Sequence, residues 1–350
     1  MKILHVVRRY GPVGGMERYV WEVTRELAAL GHEIEVLCER CHARKPQGIA
    51  VHELGEIAPR PRWLSLLRFG ARVARWLENN PRPGWIIHSN ERLGAHHITT
   101  FHGPPFATVR DKPFWKRMSL RVHMQFYLER RELSAARFIV PNSAEIARQL
   151  AHYYPGQAVK LTRPVLPGVT ATAPRPWRAA APDGGIVGFV GKEWQRKGLP
   201  LAAEIVERLH RTRPNLALWV IGPAPQEVQY LFGGWQGGYR LLGWSSESRF
   251  AEFDVLLHPA KAEPYGMVIA EAMAARVPVV VSDVCGAAAQ ISETSGAVLS
   301  LRDDVTAWAA AVEKQLQRTV APPPFERGWR EVAQEYETIY RQCMTDNGND

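Results

Sequence analysis

Residues 262–282 read AEPYGMVIAEAMAARVPVVVS, and this stretch decides the fold. Before it runs FDVLLHP, residues 253–259, and its own last six residues, VPVVVS, form a second apolar run. Short β-branched runs bounded by turn residues predict buried strands. Between the two runs, Pro264 and Gly266 suit the start of a helix. The order strand, helix, strand predicts a parallel sheet covered by helices.

Two carboxylates frame the predicted helix. Glu263 precedes it and Glu271 lies two turns into it, about 12 Å away if the interval is helical at about 1.5 Å per residue. The helix is otherwise apolar almost all round, so a carboxylate on it needs a partner. The amides at its start attract an anion; they belong to Tyr265, Gly266, Met267 and Val268. A ligand with hydroxyls at both ends and phosphate between them is a nucleotide sugar. In the alternative interpretation, Glu263 is a cap and Glu271 lies on a solvated face.

The spacing Glu263-x7-Glu271, flanked by His258-Pro259 and Pro278-Val279-Val280, resembles the signature of retaining GT-B glycosyltransferases of family 4. The resemblance implies an α/β fold with two Rossmann-like, doubly wound parallel-sheet domains that face a central cleft. It also implies that Glu263 contacts the donor sugar and Glu271 the ribose. The pair Cys285-Gly286 resembles the sequence at this position in the branch of the family that assembles the lipopolysaccharide core.

The N-terminus predicts the first strand, loop and helix of such a domain. A strand over Lys2–Val7 is followed by a glycine-rich loop and a helix over Glu17–Leu30. Gly14 and Gly15 let the backbone approach a phosphate, and Gly14-Gly15-Met16-Glu17 resembles the Gly-Gly-x-Glu loop of the same family. A simple tight turn is the alternative. The glycines do not form G-x-G-x-x-G, so a dinucleotide fingerprint is not supported.

Four further residues complete the candidate site. Arg196 and Lys197, at a strand–helix turn, could neutralise a pyrophosphate. The turn resembles the family's Gly-Arg-x4-Lys-Gly, with Lys192 in place of the arginine, and Arg196 is the candidate to substitute for that arginine. His102 occupies the place where the family often carries a histidine facing the donor sugar. The predicted catalytic residues are Glu263, His102 and Lys197. The predicted donor-binding residues are Gly14, Gly15, Lys192, Arg196, Lys197, Tyr265, Gly266, Met267, Val268 and Glu271.

Length and composition indicate two globular domains. The chain has 350 residues, of which 46% are hydrophobic and 23% charged. Five prolines between positions 164 and 182 mark a boundary. We expect an acceptor-binding domain over 1–165, a linker over 166–182 and a nucleotide-sugar-binding domain over 183–324. By the resemblance, a helix within 325–350 packs back on the first domain.

The positive charge lies in the first half. Residues 1–165 hold 26 Lys+Arg and 14 Asp+Glu. Two basic aromatic stretches, Arg60–Leu77 and Arg110–Leu133, have the composition of segments that lie on anionic membranes, although packed helices with solvated arginines are the alternative. No apolar run reaches the roughly 20 residues that span a bilayer, and the N-terminus is charged too early for a signal peptide. We expect a cytoplasmic protein, peripheral on the inner face of the cytoplasmic membrane.

The sequence predicts no cofactor. Four cysteines fit a reducing compartment. Cys38-x-x-Cys41-His42 matches the spacing of c-type haem attachment, but that reaction needs an exported chain, and a zinc site would need more ligands. We find no Asp-x-Asp motif, so we expect no metal.

The predicted function is hexose transfer, with retention, from a nucleotide diphosphate sugar to a lipid-linked glycan. UDP is the favoured nucleotide, and lipopolysaccharide core assembly is the favoured setting. The alternatives are an epimerase or hydrolase of the same fold, a family 4 transferase that uses a GDP-sugar, and a non-enzymatic binder of nucleic acid or membrane. A binder has no need for Glu263, Glu271 and the glycine loop, so we expect no nucleic-acid partner.

Overall fold

The computed structural model describes residues 1–170, 174–245 and 249–345, which form two compact units. The first unit runs from Met1 to Gly168 and resumes at Gly328, and the second is Val169–Arg327. The predicted linker 166–182 and the predicted C-terminal segment 325–350 include residues 171–173 and 346–350, which lie outside the described residues.

The second unit begins earlier than the predicted residue 183. Arg175 is buried and paired with the Asp254 carboxylate, whose second oxygen accepts the amide of Ile186 at 2.8 Å. Because this buried pair fixes the chain to the second sheet, the proline-rich stretch from residue 174 is part of that domain rather than a free linker.

The first unit contains a sheet of six parallel strands. Its elements are β1 (Lys2–Val6), β2 (Arg9–Tyr10), α1 (Gly15–Ala29), β3 (Glu33–Cys38), β4 (Arg40–Cys41), β5 (Ile49–Glu53), α2 (Arg62–Asn79), β6 (Ile86–Ser89), β7 (Ile98–Phe101), α3 (Leu120–Ala135), β8 (Phe138–Pro141) and α4 (Ala144–Tyr153). The strand order is β5-β3-β1-β6-β7-β8, and the short strands β2 and β4 pair beside it. Short 3₁₀ turns at Phe106–Asp111 and Phe114–Arg117 join β7 to α3.

The second unit repeats the same plan. Its elements are β9 (Gly184–Val190), α5 (Leu199–Leu209), β10 (Asn215–Ile221), α6 (Pro225–Val228), β11 (Tyr239–Gly243), β12 (Val255–His258), α7 (Met267–Ala274), β13 (Val279–Ser282), β14 (Gly296–Leu299) and α8 (Val305–Leu316). The strand order is β11-β10-β9-β12-β13-β14, all parallel. The prediction of two Rossmann-like parallel-sheet domains is therefore confirmed.

The last helix, α9 (Trp329–Thr345), belongs to the first unit, where it packs against α1. Its apolar side buries Trp329, Tyr336 and Tyr340. The Tyr19 hydroxyl of α1 donates to the Tyr336 hydroxyl at 2.9 Å, and the Tyr336 hydroxyl is 2.8 Å from Thr100 Oγ1 on β7. The final helix of the chain thus completes the first domain.

The two basic aromatic stretches have different structures. The first forms α2, which buries one face with Leu66, Phe69 and Val73 and exposes its arginines on the other. The second divides between the two 3₁₀ turns and α3. Among the helices of the described residues, none combines the length and the apolar character needed to cross a bilayer.

Candidate active site

Glu263 lies between β12 and α7, and its side chain is only 10% exposed. Its Oε2 atom is 3.3 Å from Lys197 Nζ and 3.6 Å from a guanidinium nitrogen of Arg196. His258, the last residue of β12, places Nε2 at 3.4 Å from the same oxygen. Two cations and an imidazole therefore converge on one carboxylate oxygen at the carboxyl edge of the second sheet.

These neighbours set the charge of Glu263. Burial alone would raise the pKa of the carboxyl, but the hydrogen bond from His258 and the charges of Lys197 and Arg196 outweigh it and lower the pKa to about 2. Burial lowers the pKa of His258 itself, so the imidazole is neutral near pH 7 and donates its Nε2–H to the carboxylate. Glu263 is thus held ionised among fixed donors.

The turn that carries the two cations is fixed against the strand before Glu263. Gly198 precedes α5 with a left-handed backbone, φ 84°, and a Cβ there would lie 2.0 Å from the carbonyl oxygen of Pro259. The Lys261 amide donates to the Arg196 carbonyl at 2.8 Å, and the Arg196 guanidinium donates to the Ala262 carbonyl. These contacts join the loop after β9 to the loop after β12.

The helix after Glu263 begins later than the sequence predicted. Gly266 precedes it with a left-handed backbone, and α7 starts at Met267. Because residues 263–266 form a loop, the separation of about 12 Å between Glu263 and Glu271, which assumed a continuous helix, does not hold. Along α7, Met267, Glu271 and Ala274 form the stripe that is not buried. Glu271 therefore lies on the accessible face of an otherwise apolar helix.

The start of α7 offers backbone donors beside this stripe. The first amides of a helix, here those of Met267 and Val268, have no acceptor within the helix and suit an anion. Tyr265 precedes the helix; its carbonyl accepts the Ala287 amide at 2.8 Å, and its hydroxyl donates to Gln290 at 2.7 Å. This loop is thus braced by the turn that follows β13.

The glycine loop of the first domain leads into α1. Gly14 is the residue before the helix, and Gly15 is its first residue. The Glu17 carboxylate folds back over Gly14 and pairs with Arg9. A Cβ built on Gly15 would meet no atom within 4 Å. The loop therefore has open space at Gly15, whereas a carboxylate already covers Gly14.

His102 follows β7 in the first domain. Its Nε2 atom is 3.0 Å from Asn90 Oδ1, and its ring meets the Tyr19 ring edge-on at 4.9 Å. Burial lowers the pKa of His102, so the imidazole is neutral near pH 7. The side chain is a fixed, uncharged hydrogen-bonding group.

The predicted cations of the second domain do not all contact Glu263. Lys197 and Arg196 do, whereas Lys192 is exposed, with its Nζ atom 4.7 Å from the centre of the Trp244 ring. In the sequence, His258 marks the end of a strand, and it is not among the predicted site residues. The signal was present, because a histidine that ends a buried strand five residues before Glu263 reaches the same sheet edge.

Within residues 1–170, 174–245 and 249–345, no group of three or more His, Cys, Asp or Glu side chains is arranged to hold a metal ion.

Both halves of the chain match family models. Residues 13–163 match the model described as Glycosyltransferase Family 4, and residues 184–318 match Glycosyl transferases group 1. The two matches fall within the first and second units respectively.

Individual relatives are distant but extend over most of the chain. A D-inositol 3-phosphate glycosyltransferase of Acidothermus cellulolyticus is 25% identical, over 87% of this chain and 79% of the relative. A glycogen synthase of Mycobacterium tuberculosis is 26% identical, over 92% and 87%. Among solved structures, WaaG, a glycosyltransferase involved in lipopolysaccharide biosynthesis, has a TM-score of 0.77 at 19% identity, over 96% of this chain and 95% of WaaG. Anabaena Alr3699/HepE in complex with UDP has a TM-score of 0.67 at 16% identity, over 98% and 100%.

Proposed function

We propose that this chain, a glycosyltransferase by both of its family matches, moves a hexose with retention from a nucleotide diphosphate sugar to a lipid-linked glycan. UDP is the favoured nucleotide, because a solved structure of the same fold carries UDP. The favoured setting is assembly of the lipopolysaccharide core, because the fold is similar to that of WaaG. The named sequence relatives act on inositol phosphate or build glycogen, so the acceptor is the part of the proposal most in need of a direct assay.

One observation carries the donor half of the proposal, namely the convergence of Lys197, Arg196 and His258 on Glu263 beside the start of α7. A departing nucleoside diphosphate gains negative charge, and fixed cations and helix amides stabilise such charge. Lys197, Arg196 and the amides of Met267 and Val268 supply these groups. Glu263, ionised and held in place, accepts hydrogen bonds from sugar hydroxyls.

Glu271 has the second role at this site. It lies on the accessible stripe of α7, one helical turn beyond Met267. We assign it to the ribose hydroxyls, which two carboxylate oxygens can accept at once. Gly15 and His102, both in the first domain, are assigned to the donor phosphate and the donor sugar.

The first experiment is calorimetric titration with UDP- and GDP-sugars, each beside its bare diphosphate. Glu271→Ala should weaken binding of the cognate nucleotide 10- to 100-fold, since charge-assisted hydrogen bonds contribute about 1.5–3 kcal/mol. Glu207→Ala, which removes an exposed carboxylate from α5 of the same domain, is the control and should leave affinity unchanged. Unchanged affinity in Glu271→Ala would contradict the assignment.

Product analysis separates transfer from the alternatives. Incubation with the cognate donor and no acceptor should leave the sugar largely intact on its nucleotide. Rapid release of free sugar, or conversion to an epimer, would instead identify a hydrolase or an epimerase. Preference for a GDP-sugar would keep the reaction class and change the nucleotide.

The proposal places the enzyme on the inner face of the cytoplasmic membrane, where a lipid-linked acceptor resides. Its support is the excess of 26 Lys+Arg over 14 Asp+Glu in residues 1–165, which would attract anionic lipids and anionic acceptors alike. Cell fractionation tests it, and recovery with the soluble proteins at low salt would contradict it.

A further inference from the structure

A cavity of about 550 Å³ opens on the first domain between α3 and the 3₁₀ turns that precede it. Four of its lining side chains are arginines and two are aromatic: Arg110, Arg117, Arg130, Arg131, Phe126 and Tyr127. Neither the donor site nor the glycine loop uses any of them. The cavity therefore needs an explanation of its own.

Among the residues that the structure describes, the arginines of this cavity have no acidic partner. The Arg110 guanidinium donates to the Tyr153 carbonyl at 3.0 Å and lies 5.4 Å from the Phe126 ring centre, and Arg117 donates to the Arg110 carbonyl at 3.1 Å. In the part of the chain that the structure describes, no carboxylate oxygen lies within 4.0 Å of any of these four guanidinium groups. Four like charges around one cavity repel each other, so an anion bound among them would be stabilised.

The carboxylates of α3 are occupied elsewhere. Glu129 is fully buried, where it pairs with Arg92 at 3.0 Å and accepts the Tyr154 hydroxyl at 2.6 Å. Glu132 is also buried and accepts the Thr99 hydroxyl at 2.6 Å. Neither side chain can turn outward without leaving its donors unpaired. These two carboxylates therefore do not neutralise the arginines of the cavity.

The surface beside the cavity is apolar and exposed. Four large side chains on the second 3₁₀ turn and at the start of α3 are more than half exposed: Phe114 (62%), Trp115 (64%), Met118 (69%) and Leu120 (66%). The Phe114 and Trp115 rings meet edge-on with their centres 5.4 Å apart, and exposed apolar clusters indicate a membrane or protein contact. Arginines beside exposed aromatic residues favour a membrane over a protein partner. The arginines match the anionic headgroups, and the aromatic rings match the boundary between headgroups and acyl chains.

We propose that the cavity binds the phosphate of an anionic phospholipid headgroup while Phe114 and Trp115 enter the bilayer interface. Guanidinium forks bind phosphate oxygens through paired hydrogen bonds, and the exposed arginines Arg117 and Arg130 present such forks at the cavity rim. The inference rests on the proposed function in that a lipid-linked acceptor brings the enzyme to a bilayer. It adds that the enzyme holds a lipid of that bilayer in a discrete site, beyond general attraction between charges.

Vesicle sedimentation tests the site. Wild-type protein should bind vesicles of phosphatidylcholine containing one-third phosphatidylglycerol, and should not bind phosphatidylcholine alone. Arg117→Ala/Arg130→Ala removes two exposed cavity arginines. Lys116→Ala/Arg121→Ala is the matched control, since it removes two exposed cations from the same stretch that do not line the cavity. The cavity variant should lose at least tenfold more affinity than the control, whereas equal losses would overturn the discrete site.

A second measurement identifies the source of the phosphate. Tryptophan emission should shift to the blue when wild-type protein binds the anionic vesicles, and the shift should be lost in Trp115→Phe. Glycerol 3-phosphate at millimolar concentration should compete only weakly. Full competition by this soluble phosphate, with no blue shift on vesicles, would assign the cavity to a soluble ligand and overturn the lipid.

The donor assay separates this inference from the proposed function. Both double variants should keep the thermal unfolding midpoint and the nucleotide-sugar affinity of the wild type. If the cavity variant loses vesicle binding but keeps donor binding, the result supports the lipid site and leaves the proposed function unaffected. Absence of donor binding in a wild type that binds vesicles would reject the transferase and leave the lipid site standing.

Discussion

Glu263 owes its charge to three side chains, two from the turn after β9 and one from the end of β12. An isolated carboxylate at this degree of burial would be protonated or moved to the surface. Lys197 and Arg196 arrive from the turn after β9, and His258 arrives from the end of β12. All three contact the same carboxylate oxygen, Oε2.

Replacing Glu263 by glutamine should expose this arrangement in the pH dependence of stability. A pKa of about 2 in the folded protein, against about 4.5 when unfolded, stabilises the fold by about 3 kcal/mol above pH 4.5, and this contribution is lost as the pH falls through 2. The difference in free energy of unfolding between wild type and Glu263→Gln should therefore shrink to about 1 kcal/mol at pH 3. Denaturant titrations at pH 7, 4 and 3 measure it; a constant difference would mean that Glu263 is not held ionised.

Gly198 should tolerate no side chain. In Gly198→Ala the new Cβ would meet the Pro259 carbonyl, and the left-handed backbone adds strain, so we expect a loss of about 2–4 kcal/mol. Gly234→Ala, where a Cβ has no neighbour within 4 Å, is the control and should change stability little. Equal stability of the two variants would show that the turn can move away from β12.

At the level of single residues, the sequence predicted part of the cluster around Glu263. Glu263, Arg196 and Lys197 could be found because they follow strand ends that a parallel sheet brings to one edge. Lys192 satisfies the same rule, yet its exposed side chain lies over Trp244, since a flexible surface cation takes the nearest aromatic face. Which rotamer a lysine adopts is decided by neighbours distant in sequence, and no local pattern records it.

Helix α9 shows how an element distant in sequence completes a domain. From Tyr336 a chain of hydrogen bonds runs through Thr100 to His88, whose Nδ1 atom is 2.7 Å from the Tyr340 hydroxyl on the same helix. The aromatic rings bury apolar area while their hydroxyls satisfy polar groups of the sheet. The helix is thus fixed by a buried polar network as well as by apolar packing.

Removing one hydroxyl from this network should be costly. Tyr336→Phe keeps the ring but takes a partner from both Tyr19 and Thr100, so the free energy of unfolding should fall by about 1–3 kcal/mol. Gln342→Ala, an exposed position on the same helix, should stay within about 0.5 kcal/mol of the wild type. Chemical denaturation of both variants measures the effect, and a neutral Tyr336→Phe would reduce the network to a packing contact.

Element boundaries were predictable where the sequence carries a local stop signal. Serine is a common N-cap residue, and the Ser143 hydroxyl accepts the Ile146 amide at 3.3 Å at the start of α4. The beginning of α7 was placed too early, because Pro264 is compatible with a first helical turn although here it lies in a loop. The loop is held by the turn after β13, a contact between segments about 20 residues apart that propensity does not reveal.

Taken as a whole, the molecule concentrates its buried histidines in the first domain. Burial lowers the pKa of His5 to about 3 and that of His96 to about 4, and it also lowers those of His88 and His102. These imidazoles are neutral in the folded protein and charge on unfolding once the pH falls below about 6.5. Taken by themselves, these four imidazoles make the first domain less stable as the pH falls.

The expected slope is about 1.4 kcal/mol per pH unit for each such histidine between pH 6.5 and its folded pKa. The unfolded chain binds more protons than the folded chain in this range, so stability rises with pH. Urea titrations between pH 7 and pH 5 should show the decline, and His5→Gln should lessen the slope by the contribution of one group. Glu91 and Glu132, whose pKa values burial raises to about 7 and about 8, oppose part of this slope, so the difference between wild type and His5→Gln is the deciding measurement. An unchanged slope in His5→Gln would mean that His5 is protonated in the folded state.

The position of α9 in the chain has a consequence during protein synthesis. The second domain is one continuous segment, Val169–Arg327, whereas the first lacks α9 until the whole of the second has been made. A ribosome hides the most recently joined residues in its exit tunnel, so the first domain stays incomplete until α9 has left the tunnel, with the apolar face of α1 uncovered. We therefore expect chaperones to bind nascent chains of this protein through the N-terminal half, and to leave once α9 has emerged.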